Sequence, residues 1–300
     1  MGSTAPAKTF RYETVTGIFA QGEPDTDFKT YEYAKHNFGL INRTYPSDDD
    51  DQDSPSKTQW QRFSAYLRHL NANAASGASY KLIYHGRHGE GYHNVGEAKY
   101  GTKAWDDYWS KLDGDGELYW ADAHLTERGQ GQAREASRFY RQQFGEKVLM
   151  PVPQAYVVSP MYRCLQTSNI TFAGLDLPTE RSFKPKIKEL LREVMGEHTC
   201  DKRSSRTVIH KSFPEYDIED GFAEDDKLWQ ADHRETHEEH DARTHAFLDD
   251  VFLHYTKEDV FSFTSHSGAI ASHLRVCGHR EYRLPTGGLL PILVKATRVG

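Results

Sequence analysis

The chain of 300 residues is poor in cysteine, in long apolar runs and in positive charge. Its cysteines, Cys164, Cys200 and Cys277, are odd in number and far apart. They make neither a disulfide framework nor a paired zinc motif. No stretch stays apolar for the ~18 residues that a membrane helix needs. The N-terminus lacks a basic segment leading into an apolar core, so no secretory leader is expected. Gly2 follows Met1, but Pro6 stands where a myristoylation signal has Ser or Thr. Acidic residues (44) outnumber Lys and Arg (37), for a net charge of -7. A nucleic-acid binder normally carries a basic face, which sets that class aside. These absences predict a cytoplasmic protein with neither a membrane nor a nucleic-acid partner. A small anionic substrate stays compatible, because a cavity can be locally cationic. Nothing in the sequence speaks to oligomeric state.

What is present suits a globular chain, 37% hydrophobic and 27% charged, and long enough to bury a sizeable core. The organising stretch is Tyr80-Lys81-Leu82-Ile83-Tyr84-His85-Gly86-Arg87-His88-Gly89-Glu90. A buried strand is expected from Tyr80, ending abruptly at Arg87 and His88. In open α/β sheets ligands sit beyond the carboxyl ends of strands, so this strand delivers an arginine and a histidine to a site. Arg can grip phosphate oxygens in a bidentate manner, and His can carry a phosphoryl group as nucleophile.

Before that strand, residues 1–79 read as an extension packed on the main body, with Met1–Lys8 mobile. Phe10–Leu40 is rich in aromatics without clean periodicity and reads as irregular chain. Asp48–Asp51 reads as a solvated acidic loop, without the alternation or glycine of a calcium loop. Trp60, Phe63, Leu67 and Leu70 share one helical face. Downstream, Val95–Ala121 is a polar, aromatic insert that either roofs the site or packs. Leu125–Ala133 opens a helix that Gly145 ends. Ala155–Val158 is a second strand, with Ser159 expected as helix N-cap and Pro160 in the first turn. Arg163 follows, where helix-start N–H groups favour an anion. His233, His237, His240 and His245 crowd one charged helix without a metal-ligand motif, so they read as a solvated face. Val260–Ser265 is a strand that ends in His266, and Leu289–Lys295 closes the sheet.

Four of these segments, in this order, resemble the histidine phosphatase (phosphoglycerate-mutase-like) superfamily, in its mutase-like branch. They are Arg87-His88-Gly89-Glu90; Leu125, Thr126, Gly129, Gln132 and Ala133; Ser159, Arg163 and Thr167; and His266-Ser267-Gly268. Leu191-Arg192-Glu193-Val194-Met195-Gly196 is similar to that family's Leu-x-Glu-x-x-Gly segment. The resemblance implies a three-layer α/β/α sandwich around a mostly parallel sheet, with a catalytic domain over 80–300 and cap inserts near 95–121 and 198–232. It implies His88 as nucleophile, Arg87, Arg163 and His266 on the phosphoryl oxygens, and Glu193 as proton donor, with Glu197 its rival. Asn94 (through its backbone), Glu90 and Ser267 are expected at the substrate. Lys202, Arg203 and Arg206 either hold its leaving group or form a solvated loop. No metal and no cofactor is expected. Acid-phosphatase members carry Asp after the second histidine, whereas Ser267 stands here. The expected activity is hydrolysis of a small phosphorylated metabolite through phosphohistidine. The alternatives are a phosphoglycerate-type mutase and a non-catalytic scaffold that binds a phosphorylated ligand.

Overall fold

The run from Tyr80 becomes strand β2 (Ala78–Arg87), and its alternation divides the molecule into layers. Leu82 and Tyr84 pack on one face with Trp60, Phe63, Phe139, Tyr140 and Phe172. Ile83 faces the other side, with Phe247, Leu248, Val251, Ile270 and Leu274. The computed structural model describes residues 9–49 and 51–299. The expectation for Met1–Lys8 lies outside those residues, as does Asp50 of the acidic run.

The other strands are β1 (Phe10–Thr14), β3 (Ala155–Val158), β4 (Pro185–Ile187), β5 (Asp217–Ile218), β6 (Val260–Ser265) and β7 (Leu289–Arg298). They form one sheet in the order β1-β7-β2-β6-β3-β4-β5. Pairing is parallel from β2 through β6, β3 and β4 to β5, and antiparallel where β7 meets β1 and β2. Helices α1 (Gln59–Ala72), α4 (Glu127–Phe144) and α5 (Tyr162–Phe172) cover one face, and α7 (His237–His254) and α8 (Ser267–Val276) cover the other. The result is a three-layer α/β/α sandwich.

The extension is more integral than its composition suggests. Phe10–Thr14 is an edge strand whose Phe10 and Tyr12 are buried while Arg11 and Glu13 are exposed. Five residues of period-two pattern are too few to stand out in an aromatic stretch. The helix expected at Trp60 is α1, opened by a capping box in which Thr58 and Gln61 exchange hydrogen bonds. The acidic run is only partly solvated, for Asp48 pairs with Arg62 (3.1 Å) and Asp51 with Lys57 (2.5 Å).

The aromatic insert is helical, with α2 (Tyr92–Tyr100) and α3 (Thr102–Asp107). Trp105 and Trp120 are buried against each other, ring centroids 5.1 Å apart. Over 198–232 the main elements are short, α6 (Arg206–Ser212) and β5. The crowded histidines are not a uniform solvated face, since His240 and His245 are buried. No described helix is long and apolar enough to cross a membrane.

Candidate active site

Strand register assembles the site. In the parallel pair β2–β6, Arg87 lies opposite Ser265, so His88 and His266 emerge side by side. In the pair β3–β6, Val158 lies opposite Thr264, which brings Ser159 to the same edge. The three carboxyl ends thus converge beside the start of α8, in the crevice where open sheets bind ligands.

Two glycines hold the loop after β2. A Cβ at Gly89 would strike the carbonyl of Gly129, and one at Gly129 would strike the carbonyl of Glu90. The turn therefore lies directly on the first turn of α4, and the Leu125-to-Ala133 motif is a docking surface for it. Gly89 N–H also donates to Thr167 Oγ1 (3.0 Å), whose hydroxyl donates to the Arg163 carbonyl (2.8 Å).

His88 is buried, and its Nδ1 lies 2.7 Å from the Gly89 carbonyl oxygen. A carbonyl can only accept, so Nδ1 carries the proton and Nε2 keeps its lone pair. Burial, then the charges of Arg163 and Arg87, push the His88 pKa well below the ordinary histidine value. His266 is also buried, its ring edge-on to His88 with centroids 5.2 Å apart, and its Nε2 lies 2.7 Å from Ser159 Oγ. Burial, followed by Arg163 and His88, lowers its pKa as well. His93, on α2, approaches His88 from another side, with centroids 5.3 Å apart.

Arg163 is 1% exposed. It donates to the Cys200 carbonyl (2.6 Å) and to Asp201 Oδ1 (2.9 Å). Arg87 donates to the Leu284 carbonyl (2.7 Å). The Nε atoms of both arginines are buried without a hydrogen-bond partner among the described residues. They are donors suited to an anion. Asp201 also accepts from Arg234 (2.9 Å). Burial alone would raise its pKa, but Arg234 and Arg163 outweigh burial and hold the carboxyl below its usual range. Glu193 Oε2 accepts from Gly268 N–H (3.0 Å) and from the Ser267 hydroxyl (3.4 Å), at the start of α8.

A cavity of about 220 Å³ joins these groups, lined by Arg87, His88, Arg163, Glu193 and Ser267 at its base. His266 is sealed behind the His88 ring and does not line it. Asn94 also lines it, its side-chain oxygen accepting from the Gly91 N–H (3.0 Å). Its backbone N–H, expected at the substrate, is committed to the Gly91 carbonyl (2.9 Å).

Four expected substrate residues lie elsewhere. Glu90 accepts from Thr126 (2.8 Å) and pairs with Arg128 (3.4 Å). Arg203 is buried, with Nε 3.0 Å from both Glu189 oxygens and its other nitrogens on backbone carbonyls. Lys202 is exposed, its ammonium 5.0 Å from the Trp229 ring centroid. Arg206 is the exposed first residue of α6. Glu197 pairs with Lys111 (3.3 Å), so of the two rival glutamates Glu193 is the one at the cavity. Ser159 binds His266 and is no cap; α5 starts at Tyr162, whose N–H donates to Asp122 (2.9 Å).

Sequence reasoning missed His93, Glu97, Asp106, His198, Asp201 and Arg234, all of which line the cavity. His93 stood inside the signature stretch; Arg234 lay in a polar segment with no motif to flag it. The insert's Trp105 both packs and roofs the site.

His198, Cys200 and Asp201 lie close enough to hold a metal ion. Their chemistry opposes it. Asp201 already carries two guanidiniums, and burial, reinforced by Asp201, keeps the Cys200 thiol well above its ordinary pKa.

A mostly parallel sheet that brings Arg87, His88 and His266 to its carboxyl edge, with Arg163 from the first turn of α5, defines a phosphoglycerate-mutase-like protein. Residues 116–284 match the histidine phosphatase superfamily (branch 1), and the chain belongs to that family. It is 48% identical over 295 residues to "Probable phosphoglycerate mutase" of Arthroderma benhamiae, covering 98% of this chain and 87% of that one. It is 33% identical over 284 residues to "Phosphomutase-like protein 3" of Candida albicans, covering 95% and 80%. It is 36% identical over 253 residues to "Probable phosphoglycerate mutase PMU1" of Saccharomyces cerevisiae, covering 76% and 83%.

Proposed function

We propose that this chain is a phosphomonoesterase that works through phosphohistidine on His88 and without a divalent cation. The observation that carries the reading is the His88 ring. Its proton is fixed on Nδ1 by the Gly89 carbonyl, and its pKa is lowered by burial and then by two arginines. An imidazole in that state is a nucleophile at neutral pH.

The ester's phosphoryl group lies against Arg87 and Arg163, whose fixed charges offset the charge that develops in the transition state. His88 Nε2 forms a bond to phosphorus as the ester P–O bond breaks. Glu193 gives its proton to the departing alkoxide. Water then attacks phosphorus, Glu193 takes the water's proton, the N–P bond breaks, and inorganic phosphate leaves. His266 and Ser159 act as positioning residues that hold the His88 ring from behind.

The relatives' names favour a second reading, transfer between positions of a phosphoglycerate. A mutase must deny water to the phosphohistidine. One assay separates the two readings. We expect phosphate release from p-nitrophenyl phosphate that survives a chelator, and acid-labile phosphoenzyme that disappears in His88→Ala. Interconversion of 3- and 2-phosphoglycerate without phosphate release would favour the mutase. Activity that needs added zinc or magnesium would overturn the metal-free mechanism.

A further inference from the structure

A second cavity adjoins the first. Its volume is about 560 Å³ against about 220 Å³ for the catalytic one, and Arg87 and Ser267 line both. It runs between α8 and the segment leading to β7, over a floor of Ile270, Leu274, Tyr282 and Leu284. Its size is that of a site for a drug-sized molecule.

The junction between the cavities is where Glu193 stands. Its carboxylate receives the Gly268 N–H and the Ser267 hydroxyl, and Gly268 lines the larger cavity. In the reading above, the leaving oxygen takes its proton from Glu193, so the alcohol begins at this junction. Two routes lead away from it. The mouth of the catalytic cavity is polar, with Glu97, Asp106, His198 and Arg234. The groove is apolar along its floor; Arg87, at its inner end, is taken by the phosphoryl group in that reading, and its two outer arginines are paired with carboxylates. Arg275 is held by Asp241 (2.6 Å) and Arg283 by Glu281 (2.6 Å). A second phosphate or a carboxylate would find both outer arginines already paired.

We propose that the groove receives the alcohol portion of the substrate, and that this portion is uncharged and apolar, an aliphatic or aromatic group larger than a glycerate. The proposal rests on the assignment of Glu193 as the proton donor. Ala271, half-buried on α8 and lining the groove, is the place to block it.

The test is binding of n-alkylphosphonates from methyl to octyl, followed by calorimetry, because their C–P bond does not hydrolyse. Each methylene buried in the groove should tighten binding by about two- to fourfold. Ala271→Trp should flatten that series and leave methylphosphonate affinity unchanged. Ala271→Leu, a milder filling, should stop the gain at a shorter chain. Equal affinity for methyl- and octylphosphonate would overturn the proposal. So would an unchanged slope in both variants, or tighter binding of an ω-carboxyl chain than of the plain one. Failure to release phosphate from any ester counts against the proposed activity instead, and is read in a separate assay.

Discussion

Gly268→Ala separates the work of one carboxylate from the integrity of the fold. Gly268 is the second residue of α8. An alanine there suits the helix and should stabilise it by about 0.5–1 kcal/mol, since glycine loses more backbone freedom on folding. The new methyl group would fall on Glu193 Oε1, a mobile side-chain end that can swing aside while the backbone stays. Glu193 then leaves its place at the junction. A reacting group displaced by about 1 Å can cost ~10²-fold, and general acid catalysis as a whole contributes about 10²–10⁴-fold. We therefore expect kcat/KM for an alkyl phosphate to fall about 10²-fold, because the alkoxide needs its proton. For p-nitrophenyl phosphate, whose phenolate leaves without help, the loss should stay below about tenfold. Thermal denaturation, recorded alongside, should show a midpoint unchanged or raised. Equal losses on both substrates would mean that Glu193 donates no proton. A lowered midpoint would mean that the clash falls on backbone.

Two further predictions concern stability. Arg203→Met should cost about 3 kcal/mol, the low end for removing one partner of a buried ion pair, because Glu189 still keeps Arg192 (2.9 Å). Leaving-group preference should be untouched, and denaturant unfolding with a substrate panel would check both. Burial lowers the pKa of His85 and of His240 to about 3, so the unfolded chain binds protons that the folded chain refuses. Stability is then full above about pH 6.5 and falls as the pH drops toward 3, at about 1.4 kcal/mol per pH unit for each histidine. The two together should cost about 3 kcal/mol between pH 7.5 and 5.5; an unchanged denaturation midpoint over that interval would refute it.

Part of the site was legible because it sits at strand ends, and Arg163 and Glu193 were legible through the family segments that hold them. Arg87, His88 and His266 end apolar runs, and a run that stops in glycine and histidine announces its own function. The basic stretch Lys202–Arg206 misled for the opposite reason: three cations near one another in sequence say nothing about which is buried. Arg203 turned inward to Glu189, while Lys202 and Arg206 face outward. Arg234, which lines the cavity beside Arg87 and Arg163, reaches it from a distant loop and pairs there with Asp201. Such a contact follows from tertiary packing alone. Edge strand β1 escaped because its alternation is short, and His85 because a buried imidazole without partners has no pattern to betray it.

The central place of β6 sets an order on how this protein can come into being. Residues 260–265 lie between β2 and β3, so both of those strands keep an open flank until β6 has been made. Up to that point the strand that carries Arg87 has no parallel neighbour, and unpaired edges invite the wrong partners. The closing pairs are long-range, which makes them slow to form. β7 then follows and seals the other flank of β2. His88 therefore acquires its burial, and the lowered pKa that comes with it, only after β6 and β7 have been made and paired.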